Sequence, residues 1–296
     1  MPDSQQLPLQ KMLITAMPVL FVFLWSTGFI GAKLGLPYIE PMTFLAIRFV
    51  VCSFLFLPFL FLTGASWPKR WQDVWHIGFA GLLMHGGYLG SVFWAISLGV
   101  SAGTSALIAG IQPLIVAALA GVLLREKISR RQWVGLLAGL LGVFLVVSEK
   151  LSLSEGTVFG FALCFIALFC MSIGTLYQKK FCSDMSLKSG NFIQFVVAGL
   201  YFTLLSFLME EQIIVWSGEL IFALSWLIFV LSIGAVSLLY LLLRKGAASS
   251  VSSLFFLVPP CTAIVAFILF DETLSWYSFG GMAVAIIGVA LVNLPS

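Results

Sequence analysis

Two basic side chains, Arg48 and His85, lie deep inside long apolar stretches of the sequence, whereas the twelve acidic residues lie at the ends of such stretches or between them. A planar guanidinium suits a carboxylate or a phosphate, and an imidazole binds or releases a proton near neutral pH. Because an ionisable group inside an apolar segment is costly, Arg48 and His85 are the first candidates for a functional site. Chemistry that needs a buried carboxylate is not predicted.

Polar and aromatic side chains extend this candidate site. Tyr88 follows His85 by three residues, so the two side chains share one face of a helix. The remaining candidates for substrate contact are Trp25, Gln112, Tyr177 and Gln194. Structural alternatives stay open: Arg48 could bond to carbonyl groups of neighbouring helices, His85 could be satisfied within a bundle, and the aromatic residues could be interface anchors.

Several kinds of chemistry lack their motifs. The five cysteines are odd in number and show no CxxC or Cys/His spacing, so neither a disulfide nor a metal site is predicted. No HExxH, Asp-rich or Gly-rich phosphate-binding motif occurs, and no cofactor is predicted. A membrane-embedded lipid or prenyl transferase, the alternative function, would need paired acids, a metal set or a nucleophile beside its base. An ATP-driven pump is not predicted, because the sequence shows no nucleotide-binding domain.

The elements that must position these residues are membrane-spanning helices. The chain has 296 residues, of which 61% are hydrophobic and 9% charged, with a mean hydropathy of +1.11. Lipid cannot satisfy backbone polar groups, so each apolar stretch of about 20 residues is predicted to be a helix. The ten predicted spans are 12–35, 42–63, 74–97, 103–124, 131–148, 156–178, 189–209, 221–243, 249–270 and 275–293. The fold class is therefore an all-α membrane protein, with the lipid bilayer as its partner and no nucleic acid.

The distribution of Lys and Arg predicts the orientation of these helices. With both termini in the cytoplasm, twelve of the fifteen basic residues fall on the inside, the side that positive charge favours. Lys33 and Lys150 fall outside, and Arg48 lies within a span. The predicted location is the inner membrane of a bacterium, crossed ten times.

An internal repeat at a constant offset of 146 residues divides the chain into two five-helix units, 1–148 and 149–296. The matched pairs include Lys33 with Lys179, Pro113 with Pro259, Glu126 with Glu272, Gly135 with Gly281 and Gly142 with Gly288. Five spans separate equivalent positions, so the second unit must be inverted in the membrane. Inverted repeats are typical of secondary transporters. The two recurring glutamates are predicted to cap the next helix or to pair with a nearby base.

The small-residue faces around the four repeated glycines permit two interpretations. Small residues spaced four apart allow close helix packing in membranes. They predict either contact between helices of one chain or the face of a homodimer.

The sequence resembles EamA-type members of the drug/metabolite transporter superfamily. The resemblance rests on Leu24-Trp25-Ser26-Thr27-Gly28-Phe29, on Pro41 and Arg48, and on a Pro-to-Glu interval of 13 residues that occurs in both halves. It implies ten helices, a central cavity shared by both halves, and export of amino acids, metabolites or drugs. This sequence has Gln194 in the second half where the first half has Arg48, so a charge role there is not duplicated.

The predicted function is a secondary transporter that exports small metabolites, such as amino acids or amphipathic drugs, through a central cavity by alternating access. The protein is not expected to be an enzyme. Without a carboxylate at mid-depth, proton coupling is either absent or depends on His85. A membrane scaffold or receptor is disfavoured, because it has no need of two inverted halves.

Overall fold

The part of the chain that the structure describes contains ten apolar helices, as predicted. The computed structural model describes residues 6–100, 102–148, 157–270 and 275–294. Within these ranges the chain is helical apart from short connections and one isolated bridge between Ile39 and Ile214. The helices are α1 (Ala16–Gly35, preceded by helical residues from Gln6), α2 (Pro41–Leu62), α3 (Trp71–Ser97), α4 (Thr104–Leu123), α5 (Arg130–Val147), α6 (Val158–Phe181), α7 (Leu187–Met209), α8 (Gly218–Lys245), α9 (Ala248–Val265, continuing to Phe270) and α10 (Trp276–Asn293).

Side-chain caps fix where several helices begin. The hydroxyl groups of Ser129, Thr157, Ser217 and Ser275 accept hydrogen bonds from backbone N–H groups at the starts of α5, α6, α8 and α10. These bonds satisfy donors that a helix leaves without an internal partner. Ser129 and Ser275 occupy equivalent positions of the two repeats.

The repeated prolines interrupt their helices at equivalent places. In α4 the first helical segment ends at Ala109, four residues before Pro113. In α9 a 3-10 turn covers Leu254–Leu257, directly before the segment that contains Pro259. A proline ring clashes with the carbonyl group four residues earlier and removes one hydrogen bond, which explains both positions.

Two π-helical segments, which the sequence did not predict, also lie at equivalent positions. They cover Leu82–Leu89 in α3 and Leu227–Ala235 in α8. A π-helical turn inserts an extra residue and re-aims the side chains around it, and such turns are frequent at functional sites. The first segment contains both His85 and Tyr88.

The two repeats interlock about a central pseudo-two-fold axis. The equivalent helices α2 and α7 pack together, and so do α5 and α10. In the middle, α1 contacts α8 and α9, just as its counterpart α6 contacts α3 and α4. The centre of the bundle is therefore enclosed by α1, α3, α4, α6, α8 and α9, with α2 and α7 closing one flank.

The beginning of α1 and the end of α10 lie at one end of the bundle, because ten successive helices alternate in direction; we name this end the terminal face. The connections 63–70, 124–129, 182–186 and 246–247 lie at this end. We name the opposite end, with the connections 36–40 and 210–217, the far face. Lys150, which the sequence analysis assigned to the outside, and Glu272, which it predicted to cap a helix or to pair with a base, lie outside the described residues.

Glu126 caps a helix of the other repeat, not the next helix of its own. Its carboxylate accepts hydrogen bonds from the backbone N–H groups of Ala248 (2.7 Å) and Ser249 (3.3 Å) and from the Ser249 hydroxyl (2.8 Å). A carboxylate at a helix N-terminus satisfies free donors and complements the helix dipole. Glu126 thus ties the end of α4 to the start of α9 at the terminal face.

The repeated glycines join α5 to α10 within one chain. A Cβ atom on Gly142 would lie 2.4 Å from the backbone nitrogen of Ala285, and one on Gly288 would lie 2.5 Å from the backbone nitrogen of Gly139. Such contact leaves no room for any side chain. The small-residue faces are therefore used inside the molecule, and a homodimer stays a prediction without their support.

This contact predicts opposite effects of one added methyl group at two glycines. Gly142→Ala is expected to lower the unfolding midpoint in detergent, because overpacking against backbone atoms costs about 1–3 kcal/mol. Gly280→Ala, on the exposed side of α10 with open space around its Cβ position, is the matched control. It is expected to keep or raise the midpoint, since alanine favours a helix over glycine by about 1 kcal/mol. Equal midpoints for the two variants would contradict the packing of α5 on α10.

Candidate functional site

A central cavity lies between α1, α2, α3 and α8. Its empty volume, counted with the space that opens to the surface, is about 470 Å³. Four of the predicted site residues line it, namely Trp25, Arg48, His85 and Tyr88. The other lining residues are Gly28, Phe29, Ala32, Leu89, Val92, Phe93, Leu231 and Val236. Small-molecule sites typically have this form, with apolar walls and a few polar groups.

The cavity lies nearer the far face than the terminal face. Its residues from α1, α2 and α3 belong to the halves of those helices that end or begin at the far face, and those from α8 lie near its middle. Arg48 is seven residues from the start of α2, hence about 10 Å from that end. The cavity therefore has its floor near mid-depth.

Stacked aromatic rings form one wall of the cavity. The ring centroids of Trp25 and Tyr88 lie 6.5 Å apart with an angle of 22° between the planes. Phe255 from α9 packs edge-on against Trp25, with centroids 5.3 Å apart. All three side chains are buried, so their conformations are held by packing. A flat or branched apolar body fits against such a wall.

Arg48 brings a positive charge to the opposite side of the cavity. Its side chain is 1% exposed, and its Nε atom donates a hydrogen bond of 3.0 Å to the Ser232 hydroxyl of α8. The guanidinium carbon lies 5.2 Å from the centroid of the Phe49 ring. The buried Nη1 atom has no hydrogen-bond partner. The guanidinium is therefore held by a hydrogen bond at its Nε atom, whereas its Nη1 donor has no acceptor.

His85 begins a chain of polar contacts that leads from the cavity toward the terminal face. Its Nε2 atom lies 3.3 Å from the Tyr240 hydroxyl of α8. That hydroxyl also donates a short hydrogen bond to the Oε1 atom of Gln194 in α7. The Nε2 atom of Gln194 in turn donates to Gln178 of α6 at 2.9 Å. We name His85, Tyr240, Gln194 and Gln178 the polar chain; His85 lines the cavity, and the other three residues continue from it toward the terminal face.

Contacts to backbone carbonyl groups close the terminal face below the polar chain. The Nζ atom of Lys179 donates to the carbonyl oxygens of Leu243 (2.5 Å) and Gly246 (2.9 Å) at the end of α8. Arg244 donates to the carbonyl oxygen of Met185 in the connection between α6 and α7. A cation at a helix C-terminus complements the helix dipole. These contacts seal the cavity from the terminal face in this conformation.

The thiol of Cys182 lies in this seal, directly after the end of α6. Burial, together with the negative charge of Asp73, raises the pKa of this thiol to about 12. A thiol with so high a pKa stays protonated and does not react as a thiolate at neutral pH.

Besides Gln194 in the polar chain, two predicted site residues do not line the cavity. Gln112 is buried between α4, α6 and α9, where its Nε2 atom lies 3.4 Å from the hydroxyl oxygens of Thr175 and Ser252 and its Oε1 atom has no partner. Tyr177 lies near the terminal face, and its hydroxyl is 2.6 Å from the Nδ1 atom of His76. Neither residue lines the cavity in this conformation, and their contact with a substrate stays a prediction.

The sequence model of the EamA-like transporter family matches residues 12–148 and again residues 158–294. The double match covers nearly the whole chain. This chain belongs to the EamA-like transporter family. As a member of that family with ten apolar helices, it is a multi-pass membrane protein and a secondary transporter.

Relatives of this EamA-like transporter span its full length. A probable amino-acid metabolite efflux pump of Salmonella typhimurium is 26% identical over 283 residues, which are 92% of this chain and 91% of the relative. An uncharacterized transporter of Archaeoglobus fulgidus is 25% identical and is covered over 99% of its length, with 96% of this chain. One solved crystal structure superposes with a TM-score of 0.78 at 18% identity, covering 94% of this chain and 96% of the other. That likeness shows the shared fold.

Three site residues of this transporter were missed by sequence reasoning, namely Gln178, Ser232 and Tyr240. Ser232 carries a hydroxyl group near the middle of an apolar stretch, and this depth could have identified it as a candidate site residue. Gln178 and Tyr240 lie near the ends of their stretches, where a polar or aromatic side chain is read as an interface anchor. Only the packing of α6, α7 and α8 brings these two together with Gln194.

No group of three or more His, Cys, Asp and Glu side chains that could hold a metal ion occurs among the residues that the structure describes. The side chains with polar groups that line the cavity are instead a guanidinium, an imidazole, a phenol and an indole. This set suits reversible binding of a polar organic molecule by hydrogen bonds and charge.

Proposed function

We propose that this transporter exports small amphipathic metabolites, amino acids among them, through its central cavity by alternating access. The observation that carries the proposal is the cavity itself, which has apolar aromatic walls, the polar side chains of Arg48 and His85, and a seal toward the terminal face. A site between two inverted repeats that is closed toward one face is suited to alternating access, because the equivalent movement of the other repeat can open that face. The relative named as an amino-acid metabolite efflux pump supports the substrate class.

The second half of the cycle follows from the inverted repeat. Because α1 and α6, and α3 and α8, are equivalent, an exchange of their conformations would open a path at the terminal face. In that state the polar chain would separate, and Gln194, Gln112 and Tyr177 would come into reach of the substrate. This is the role we propose for the three predicted residues that do not line the present cavity.

We further propose that the terminal face is cytoplasmic and that the protein lies in the bacterial inner membrane. The excess of Lys and Arg at the terminal face, including Lys179 and Arg244, supports this orientation. The sealed face is then the cytoplasmic one, and the cavity lies toward the outside.

A transport function without enzymatic activity is favoured over the lipid or prenyl transferase alternative. Such an enzyme would need a nucleophile with a base, or acids paired at a metal. The cavity instead has Arg48 as its one fixed charge among the described lining residues.

The experiment that tests the proposed function is transport in proteoliposomes without ATP. Purified protein is expected to release preloaded radiolabelled amino acids or related metabolites faster than protein-free liposomes of the same lipid. Exchange against unlabelled substrate on the other side should accelerate the release, as expected for alternating access. Release at the protein-free rate across a panel of amino acids and aromatic metabolites would contradict the proposal.

Trp25→Ala is expected to raise the KM for substrates with an aromatic body roughly three- to tenfold. The substitution removes a ring-stacking contact with the substrate that contributes about 1 kcal/mol to binding. The measurement is the concentration dependence of proteoliposome transport. Trp75→Ala is the matched control, since Trp75 is 65% exposed near the terminal end of α3. Equal KM values for the two variants would place the substrate away from the Trp25 wall.

A further inference from the structure

Among the residues that the structure describes, no acidic side chain pairs with the buried guanidinium of Arg48. Its one hydrogen bond goes to the neutral hydroxyl of Ser232, and its Nη1 atom bonds to nothing. Among the described residues that line the cavity, none is an Asp or a Glu. A buried charge without a counter-ion is strongly unfavourable, and proteins normally pair it or leave it to a ligand.

The charge also has no counterpart in the second repeat. The equivalent position holds Gln194, which is satisfied on both sides by Tyr240 and Gln178. A purely structural polar side chain at this place can therefore be neutral and fully bonded. Arg48 has both a charge and a donor atom without an acceptor. Packing of the helices at this position does not require either of them, as Gln194 shows.

We propose that the transported molecule is an organic anion, whose carboxylate pairs with Arg48 while its apolar body lies against Trp25 and Tyr88. This inference rests on the proposed function and names the substrate class of the same site. A guanidinium offers parallel N–H donors that match a carboxylate, and the free Nη1 atom is one of them. The aromatic wall and the guanidinium line one cavity, so a single small molecule contacts both.

The same cavity disfavours a substrate with a net positive charge. An ammonium group would lack a carboxylate partner among the described lining residues and would face the charge of Arg48. The Trp25 and Tyr88 rings can hold a cation by its attraction to their faces, but this term is about 0.5–2 kcal/mol. The order of affinity is therefore anion, then zwitterion, then cation.

Transport of an anion also supplies its own driving force. Each cycle that exports an anion carries one negative charge outward, down a membrane potential that is negative inside. A potential of 100 mV corresponds to about 2.3 kcal/mol per charge, or about a 50-fold concentration ratio. An exporter of this kind needs no carboxylate for proton coupling, in agreement with the absence of Asp and Glu from the described cavity lining.

The first test uses three probes of similar shape and different charge, which are phenylpyruvate, phenylalanine and 2-phenylethylamine. Binding to the protein in lipid nanodiscs is measured by calorimetry. Phenylpyruvate is expected to bind at least tenfold more tightly than 2-phenylethylamine, with phenylalanine between them. Arg48→Gln, which installs the side chain of the second repeat, should abolish this order. Arg48→Lys keeps the charge without the planar fork and should keep the order at lower affinity.

The second test uses the wild-type protein alone, so it does not depend on folding of the variants. Efflux from proteoliposomes is measured with a potassium gradient and valinomycin setting the potential. A potential negative in the lumen should accelerate efflux of phenylpyruvate, and the reversed potential should slow it. Efflux of phenylalanine, which carries no net charge, should be the same at both potentials.

The outcomes separate this inference from the proposed function. Equal binding of the three probes, or anion preference retained in Arg48→Gln, would overturn the anion site and leave the transporter intact. An efflux rate of phenylpyruvate that does not change with the membrane potential would also overturn the anion site. Absence of both binding and transport for all three probes would overturn the anion site together with the transport of aromatic metabolites.

Discussion

Val92→Trp is expected to reduce transport at least tenfold, because the added ring fills the cavity between the aromatic wall and Arg48. Val92 lines the cavity and is 3% exposed. Transport requires the substrate to enter this space, so a side chain that occupies it competes permanently with every substrate. A tenfold loss corresponds to about 1.4 kcal/mol, a small amount beside the cost of expelling a bulky side chain from a closed cavity.

A graded series separates blockage from misfolding. Val92→Ala enlarges the cavity and should retain transport, Val92→Phe should lie between, and Val92→Trp should be lowest. Val134→Trp is the matched control, because Val134 is 59% exposed on α5, where an aromatic ring meets lipid. Transport and unfolding midpoint are measured for each variant in the same proteoliposome and detergent preparations. Full transport by a stable Val92→Trp variant would show that the substrate takes another route.

Much of the scaffold could be predicted because membranes impose simple rules. Lipid demands helices of a fixed minimum length, so the ten spans were visible as apolar stretches. The helices are interrupted near Pro113 and Pro259, two positions visible in the sequence, because a proline ring acts on its own helix whatever surrounds it. The offset of 146 residues showed the repeat, and the pairing of α2 with α7 and of α5 with α10 has the symmetry that the offset implies.

The site was only partly predictable, since it depends on contacts between helices far apart in sequence. Depth alone selected Arg48 and His85, and both line the cavity. Depth could not show that Gln194 turns toward Tyr240, because that contact arises from the packing of α7 on α8. The π-helical segment at His85 and Tyr88 was equally invisible, since a π-helical turn has no hydrophobic period of its own.

The helices of the two repeats are related by symmetry, whereas the residues that line the cavity are not. Helix pairs, proline breaks, π-helical segments and the serine caps of α5 and α10 recur at equivalent positions. The residues that face the cavity do not, since Leu231 of the second repeat stands where the first has His85, and both line the cavity. Two equivalent conformations need a symmetric frame, whereas recognition of one asymmetric small molecule needs unlike groups around it.

Tyr240→Phe and Gln194→Leu are each expected to destabilise the protein, and the double variant is expected to be less destabilised than their sum. Tyr240→Phe leaves the buried Oε1 atom of Gln194 without its donor, and Gln194→Leu leaves the Oε1 atom of Gln178 without its donor. A buried polar group that loses its partner costs about 1–3 kcal/mol, whereas removal of both partners can be nearly neutral. The expected coupling between the two substitutions is at least about 0.5 kcal/mol.

The measurement is a double-mutant cycle of unfolding free energies in mixed micelles, with Tyr277→Phe as the control because Tyr277 is 70% exposed. The same variants are assayed for the rate at which a cysteine probe below the cavity floor becomes accessible from the terminal face. Because the polar chain must separate for the cavity to open there, loss of the bond between Tyr240 and Gln194 should raise that accessibility. Strictly additive free energies, with unchanged accessibility in both single variants, would show that the polar chain does not hold the terminal face closed.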